Sequence, residues 1–123
     1  FLSIGTNDLT QYVTASDRTH GALGAHQDAA NPAVLQLVAR TAAAGAAAGV
    51  PTAVCGEAAG DPATLALFLA YGVEELSVTA SRVDLVRWTV AQLDPVAVRA
   101  AAERALTLPD ADAVRELVAP LLP

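Results

Sequence analysis

Three Asx-Pro dipeptides, Asn31-Pro32, Asp61-Pro62 and Asp94-Pro95, constrain the fold of this chain more than any other feature. Each pairs a side chain able to cap a helix with a proline at the first helical position, where the missing N–H costs nothing. Each therefore marks a helix start. After Asn31, the residues Val34, Leu35, Leu37, Val38 and Thr41 lay an apolar stripe at helical spacing, and Gly49 closes the helix. Gly45 lies inside that helix and costs about 1 kcal/mol of helix propensity. The helix from Pro62 to Tyr71 is apolar nearly all round, which predicts burial on several sides, and Gly72 ends it. Ser81 with Asp84 predicts a capping box for a helix whose apolar side is Val83, Val86, Trp88 and Val90. Asp94-Pro95 opens a further helix to about Leu106, Pro109 breaks the chain, and a last helix runs from about Ala111 to Ala119.

Short apolar runs separate these helices. Phe1 to Ile4, closed by Gly5, reads as a first strand, with a helical turn or two over Leu9 to Thr14. Val50 to Val54 and Glu75 to Thr79 read as the second and third strands. Strands alternating with helices predict an α/β fold, its parallel strands joined by right-handed crossovers. Their apolar character predicts that both sheet faces are covered. Three βα units with trailing helices are too few for a complete sheet of this kind. Residues 1–123 are therefore read as one partial domain, with the rest expected upstream of a chain that begins at Phe1 and lacks methionine.

Composition narrows the function. Alanine runs such as Ala42-Ala43-Ala44 favour close-packed helices, and arginine supplies all seven positive charges against thirteen acids. A net charge of −6 argues against a nucleic-acid or anionic-membrane surface. The single cysteine cannot form an internal disulfide, which points to a reducing, cytoplasmic setting or a chemical use of the thiol. No uninterrupted apolar run approaches the length of a membrane span.

Two polar clusters stand where strands end, the place where α/β folds bind ligands. The first is Asn7 and Asp8, followed ten residues later by Arg18. A carboxylate for a hard cation such as Mg²⁺, an amide to orient an oxygen and a guanidinium to grip a phosphate suit an anionic, metal-bridged ligand. Thr6, Asn7 or Asp8 as simple helix caps, with Asp17-Arg18 as a solvated ion pair, accounts for the same residues. The second cluster is Cys55-Gly56-Glu57-Ala58-Ala59-Gly60-Asp61. A cysteine leaving a strand before a helix amino terminus fits an activated thiol, and equally a small buried filler. His20 and His26, in a long loop from Ala15 to Ala30, have no cysteine or second carboxylate at ligand spacing and read as solvated.

The run Phe1-Leu2-Ser3-Ile4-Gly5-Thr6-Asn7-Asp8-Leu9-Thr10-Gln11-Tyr12, then Asp17-Arg18, Asn31-Pro32-Ala33-Val34 and Cys55 to Asp61 in order, resembles the phosphoenolpyruvate-utilising enzymes. Within them the resemblance is nearest to enzyme I of the bacterial sugar phosphotransferase system. It covers essentially the whole chain. It implies the C-terminal portion of a TIM (β/α)8 barrel, with these strands as the sixth, seventh and eighth, that binds phosphoenolpyruvate and Mg²⁺. By the same resemblance, Asp8 ligates the metal, Asn7 contacts the substrate, Arg18 holds the phosphoryl group and Cys55 protonates the carbon of the departing enolate. That last role needs a thiol held protonated, against the lowered pKa that the strand-end setting favours.

The resemblance further implies partners: phosphoenolpyruvate and pyruvate, the phosphocarrier protein HPr through an absent amino-terminal domain, and a second copy in a homodimer. The family's phosphorylated histidine lies in that absent domain, and neither His20 nor His26 matches it. The fragment alone is expected to be inactive. Pyruvate phosphate dikinase resembles the same motifs, and Gln11-Tyr12 with Asp17-Arg18 tilts the reading toward enzyme I. A role as a dimerisation module without activity is the alternative from another class.

Overall fold

The computed structural model describes residues 1–17 and 26–123. Over these the order is β1 (Leu2–Gly5), α1 (Thr6–Thr14), α2 (Pro32–Ala48), β2 (Thr52–Cys55), α3 (Pro62–Ala70), β3 (Glu75–Ser77), α4 (Val83–Gln92), α5 (Pro95–Ala105) and α6 (Ala111–Val118). Short 3-10 turns fill Glu57–Gly60, Ala80–Arg82 and Ala119–Leu121. The strands form one parallel sheet in the order β1-β2-β3. Gly5 pairs with Cys55, and Cys55 with Ser77, so all three strands end at one rim. The α/β class and the alternation of strand and helix are as expected from the sequence.

Helix starts follow local chemistry where a cap is free to act. Asn31 accepts from the N–H of Ala33 at 2.9 Å, Asp94 from those of Val96 and Ala97, and Asp110 from that of Ala113. Two expected caps do not form. Asp61 makes no capping bond to α3, because its carboxylate is drawn to Arg115 of α6 instead. Ser81 and Asp84 form no capping box either: the chain winds through a 3-10 turn, so α4 starts only at Val83 with no side-chain cap. The expected apolar side of α4 is also corrected, since Val86 and Thr89 are buried while Trp88 and Val90 are exposed.

The core lies on one side of the sheet. Strand side chains alternate between faces, and the register puts Ile4, Val54 and Leu76 together on the face that meets Leu35 and Val38 of α2 and Leu67 and Phe68 of α3. The opposite face carries Ser3, Gly5, Glu75 and Ser77, all exposed, around the half-buried Cys55. Among the described residues the helices thus cover a single face, not both as the apolar strands led one to expect. The uncovered face bears small and polar side chains, with Ala53 and Cys55 of β2 at its centre.

Helix α3 is the centre of the packing. Residues Ala63 to Phe68 are all buried, against α2, α4 and α5. At its end the Tyr71 hydroxyl donates to the Ala102 carbonyl at 2.9 Å, and burial pushes the phenol's pKa well above its ordinary value. Gly45 of α2 has a specific reason to be glycine. A Cβ there would lie 2.5 Å from Thr52 Oγ1 and 2.7 Å from the Val50 carbonyl oxygen. Only glycine lets α2 lie this close to the chain entering β2.

Candidate functional site

The rim of the sheet is stitched together by the residues that follow β1. Thr6, fully buried, donates its hydroxyl to the carbonyl of Cys55 at 2.8 Å. The Asn7 amide oxygen accepts from the N–H of Glu57 at 3.4 Å. Neither side chain caps α1, whose N-cap position is Gly5 without a side-chain bond. Both reach instead across to the end of β2. The close approach works because residue 56 is glycine: its φ of +100° is a conformation L side chains rarely adopt, and a Cβ there would stand 2.5 Å from Thr6 Oγ1 and 3.1 Å from Asn7 Oδ1.

A cleft of about 800 Å³ opens beside this junction, lined by Asn7, Gly56, Glu57, Asp61, Ser77 and Arg82 among others. Arg82 makes no ion pair with a described residue, which leaves a cation free to meet an anion there. A second cavity of about 350 Å³ shares Asn7, Glu57 and Asp61 and adds Thr10, Asp28 and Arg115. Arg115 grips Asp28 through two nitrogens, with Nη2 to Oδ1 at 2.8 Å, and also reaches Asp61 Oδ2 at 2.9 Å. Burial raises the Asp28 pKa, but the hydrogen bonds from Arg115 and from the Ala30 N–H outweigh it and hold the carboxyl below its ordinary value. Its hydrogen bonds to Asp28 and then Asp61, outweighing burial, raise the Arg115 pKa further, so it stays a cation.

The family model described as "PEP-utilising enzyme, PEP-binding domain" matches residues 1–95. This chain belongs to that family. Among curated relatives, the phosphoenolpyruvate-protein phosphotransferase of Cupriavidus necator is 57% identical over 77 residues, 63% of this chain and 13% of that protein. The enzyme of the same name from Mycoplasma pneumoniae is 39% identical over 118 residues, 96% of this chain and 21% of its own length. The multiphosphoryl transfer protein of Rhodobacter capsulatus is 42% identical over 117 residues, 95% of this chain and 14% of that protein. The chain therefore spans about a fifth or less of the relatives it matches.

Among the described residues, Asn7 of the first cluster and Glu57 and Asp61 of the second line both cavities. Asp8 is exposed in the first turn of α1, next to Asn7, and Cys55 ends β2, next to Gly56; neither is among the lining residues of the larger cleft. Arg18 and His20 lie outside the described residues, and His26 is exposed. Among the described residues no group of three or more His, Cys, Asp or Glu side chains is placed to hold a metal. The exposed Asp8 carboxylate has the hard oxygen donors that Mg²⁺ takes. Sequence reading missed Thr6 as a link, Arg82 as a lining cation and the contacts of Arg115. Thr6 sits inside the motif that carries Asn7 and was open to notice. The partners of Arg115 lie 87 and 54 positions away, beyond any local signal.

Proposed function

We propose that the chain supplies part of the phosphoenolpyruvate site of a phosphoenolpyruvate–protein phosphotransferase, enzyme I of the bacterial sugar phosphotransferase system. The observation that carries this reading is the joined rim: Thr6 and Asn7 bind the backbone of Cys55 and Glu57 beside a cleft large enough for a three-carbon phosphate ester. In this reading the three strands are the last of a (β/α)8 barrel whose remaining strands close over the bare face bearing Ser3, Glu75 and Ser77. The parent protein takes the phosphoryl group from phosphoenolpyruvate onto its own histidine, passes it to HPr and releases pyruvate in the cytoplasm. It forms a homodimer through this domain, and the fragment by itself is inactive.

Each residue has a task in that chemistry. Phosphoryl transfer needs positioning and charge neutralisation more than covalent work by the protein. Asn7 orients a substrate oxygen, and Arg18 holds the phosphoryl group through its paired donors. Asp8 is the residue of this chain that would hold Mg²⁺, which when bound neutralises phosphate charge. When the P–O bond breaks, the phosphoryl group passes to the histidine and its electron pair stays on the enolate oxygen. The enolate then collapses to the ketone as its terminal carbon takes a proton from the Cys55 thiol. Solvent returns a proton to the thiolate before the next turn.

Cys55→Ala in the full-length protein tests the assignment. General acid catalysis contributes about 10²–10⁴-fold, so pyruvate release should fall by that order. Single-turnover phosphorylation of the protein's histidine should change by less than about tenfold. An unchanged rate of pyruvate release refutes the role given to the thiol.

A further inference from the structure

One guanidinium ties two distant acids to the end of the chain. Arg115 of α6 meets Asp28, which leads into α2, through a paired contact, and its Nη2 also reaches Asp61 at the start of α3. The three side chains are partly buried, with 39% of Arg115, 23% of Asp28 and 31% of Asp61 exposed. Lone surface pairs contribute little, but a forked contact in a shared network is the geometry that does. Both ends are firmly fixed. Val114 and Val118, on either side of Arg115, are fully buried, and Asp28 is held by the Ala30 N–H at 2.8 Å.

The network runs on into the rim. Asp61 Oδ2 lies 3.2 Å from the Thr64 hydroxyl, whose shorter bond, 2.7 Å, goes to the carbonyl of Ala58 in the 3-10 turn after Cys55. Arg115 also places one positive charge among Asp28, Asp61 and Glu57 around the smaller cavity, which shares Asn7 with the larger cleft. Without it, two carboxylates would stand unneutralised beside a site that takes an anion. Arg115 lies beyond residues 1–95, the span of the family match.

We propose that Arg115 is a positioning residue: acting through Asp61, it holds the segment from Cys55 to Asp61 in place and removes negative charge from the edge of the substrate site. This rests on the phosphoenolpyruvate reading above for its kinetic consequence, and on the structure alone for the tether. The test uses the full-length protein with Arg115→Ala, Arg115→Lys and Asp61→Asn. Two readouts are taken: steady-state kinetics, and the rate at which iodoacetamide alkylates Cys55 without substrate, read by mass spectrometry on the tryptic peptide 41–82.

Arg115→Ala should raise KM for phosphoenolpyruvate about five- to tenfold with kcat within about threefold, and should speed Cys55 alkylation at least about threefold. Arg115→Lys restores the charge without the fork, so it should recover KM more fully than the alkylation rate. Asp61→Asn should reproduce the faster alkylation. If Arg115→Ala fails to fold, the lysine and Asp61→Asn variants carry the same two readings. Alkylation and KM both within about twofold of wild type, with only a lower Tm, would overturn the proposal. Faster alkylation in an enzyme whose Cys55→Ala variant is fully active supports the tether while removing the phosphotransferase reading.

Discussion

Replacing Gly56 by alanine puts the junction between β1 and β2 under direct strain. The residue sits at φ +100° and ψ −179°, a region essentially reserved for glycine. Forcing alanine into it costs about 1–3 kcal/mol. The new Cβ would also stand 2.5 Å from Thr6 Oγ1, so the hydroxyl must give up its bond to the Cys55 carbonyl, about 1 kcal/mol net. The combined cost is about 2–4 kcal/mol. Hydrogen exchange in the full-length protein reads this locally, through the amides of Thr52–Cys55. At about 1.4 kcal/mol per tenfold, those amides should exchange ~30- to ~700-fold faster. Gly5→Ala is the control, because Gly5 lies at φ −81° with no atom of the described residues within 4 Å of a Cβ, and should leave exchange within about threefold. Wild-type exchange in the Gly56→Ala protein would refute the claim that this glycine permits the junction.

Two other perturbations follow from the packing and the charge network. Gly45→Ala gains helix propensity but drives a methyl into the Val50 carbonyl and Thr52, so the net change should be about 1–3 kcal/mol destabilising; a raised Tm would contradict the close approach. The Asp28 carboxyl is depressed in the folded state, so its stabilisation is fully present above the ordinary carboxylate value of 3.8 and is lost as pH falls through the lower folded value. The Tm difference between wild type and Asp28→Asn should therefore hold steady above about pH 5 and shrink below 3.8; a difference independent of pH would remove the ion pair from the account.

The sequence disclosed what depends on neighbours a few residues apart. Asn31 and Asp94 cap their helices because each oxygen needs only a backbone N–H two or three positions on; Asp110 does the same for α6, unforeseen in the sequence. The apolar roundness of α3 likewise announced its central place. Asp61 shows the limit. It carries the same signature as Asn31, yet an arginine 54 positions away takes its carboxylate, and nothing local marks that competition. The sheet faces were misjudged for a related reason. Ser3, Gly5, Glu75 and Ser77 alternate with Ile4, Val54 and Leu76, and only the pairing register shows that the small and polar set shares one uncovered side. At the site, Asn7 and Cys55 were visible because they end strands. That Thr6 and Asn7 bond across to β2 rather than capping α1 required the fold.

The rim at the ends of β1 and β2 is proposed to take phosphoenolpyruvate with Mg²⁺. Calorimetric titration of phosphoenolpyruvate into the full-length protein, with and without Mg²⁺, tests it through Asp8→Asn, an exposed position whose change leaves the packing alone. The expected result is tight binding to the wild type only with the metal, and a Kd at least about tenfold weaker in the variant, with little response to Mg²⁺. Equal affinity in both proteins, or binding indifferent to the metal in the wild type, would contradict the account.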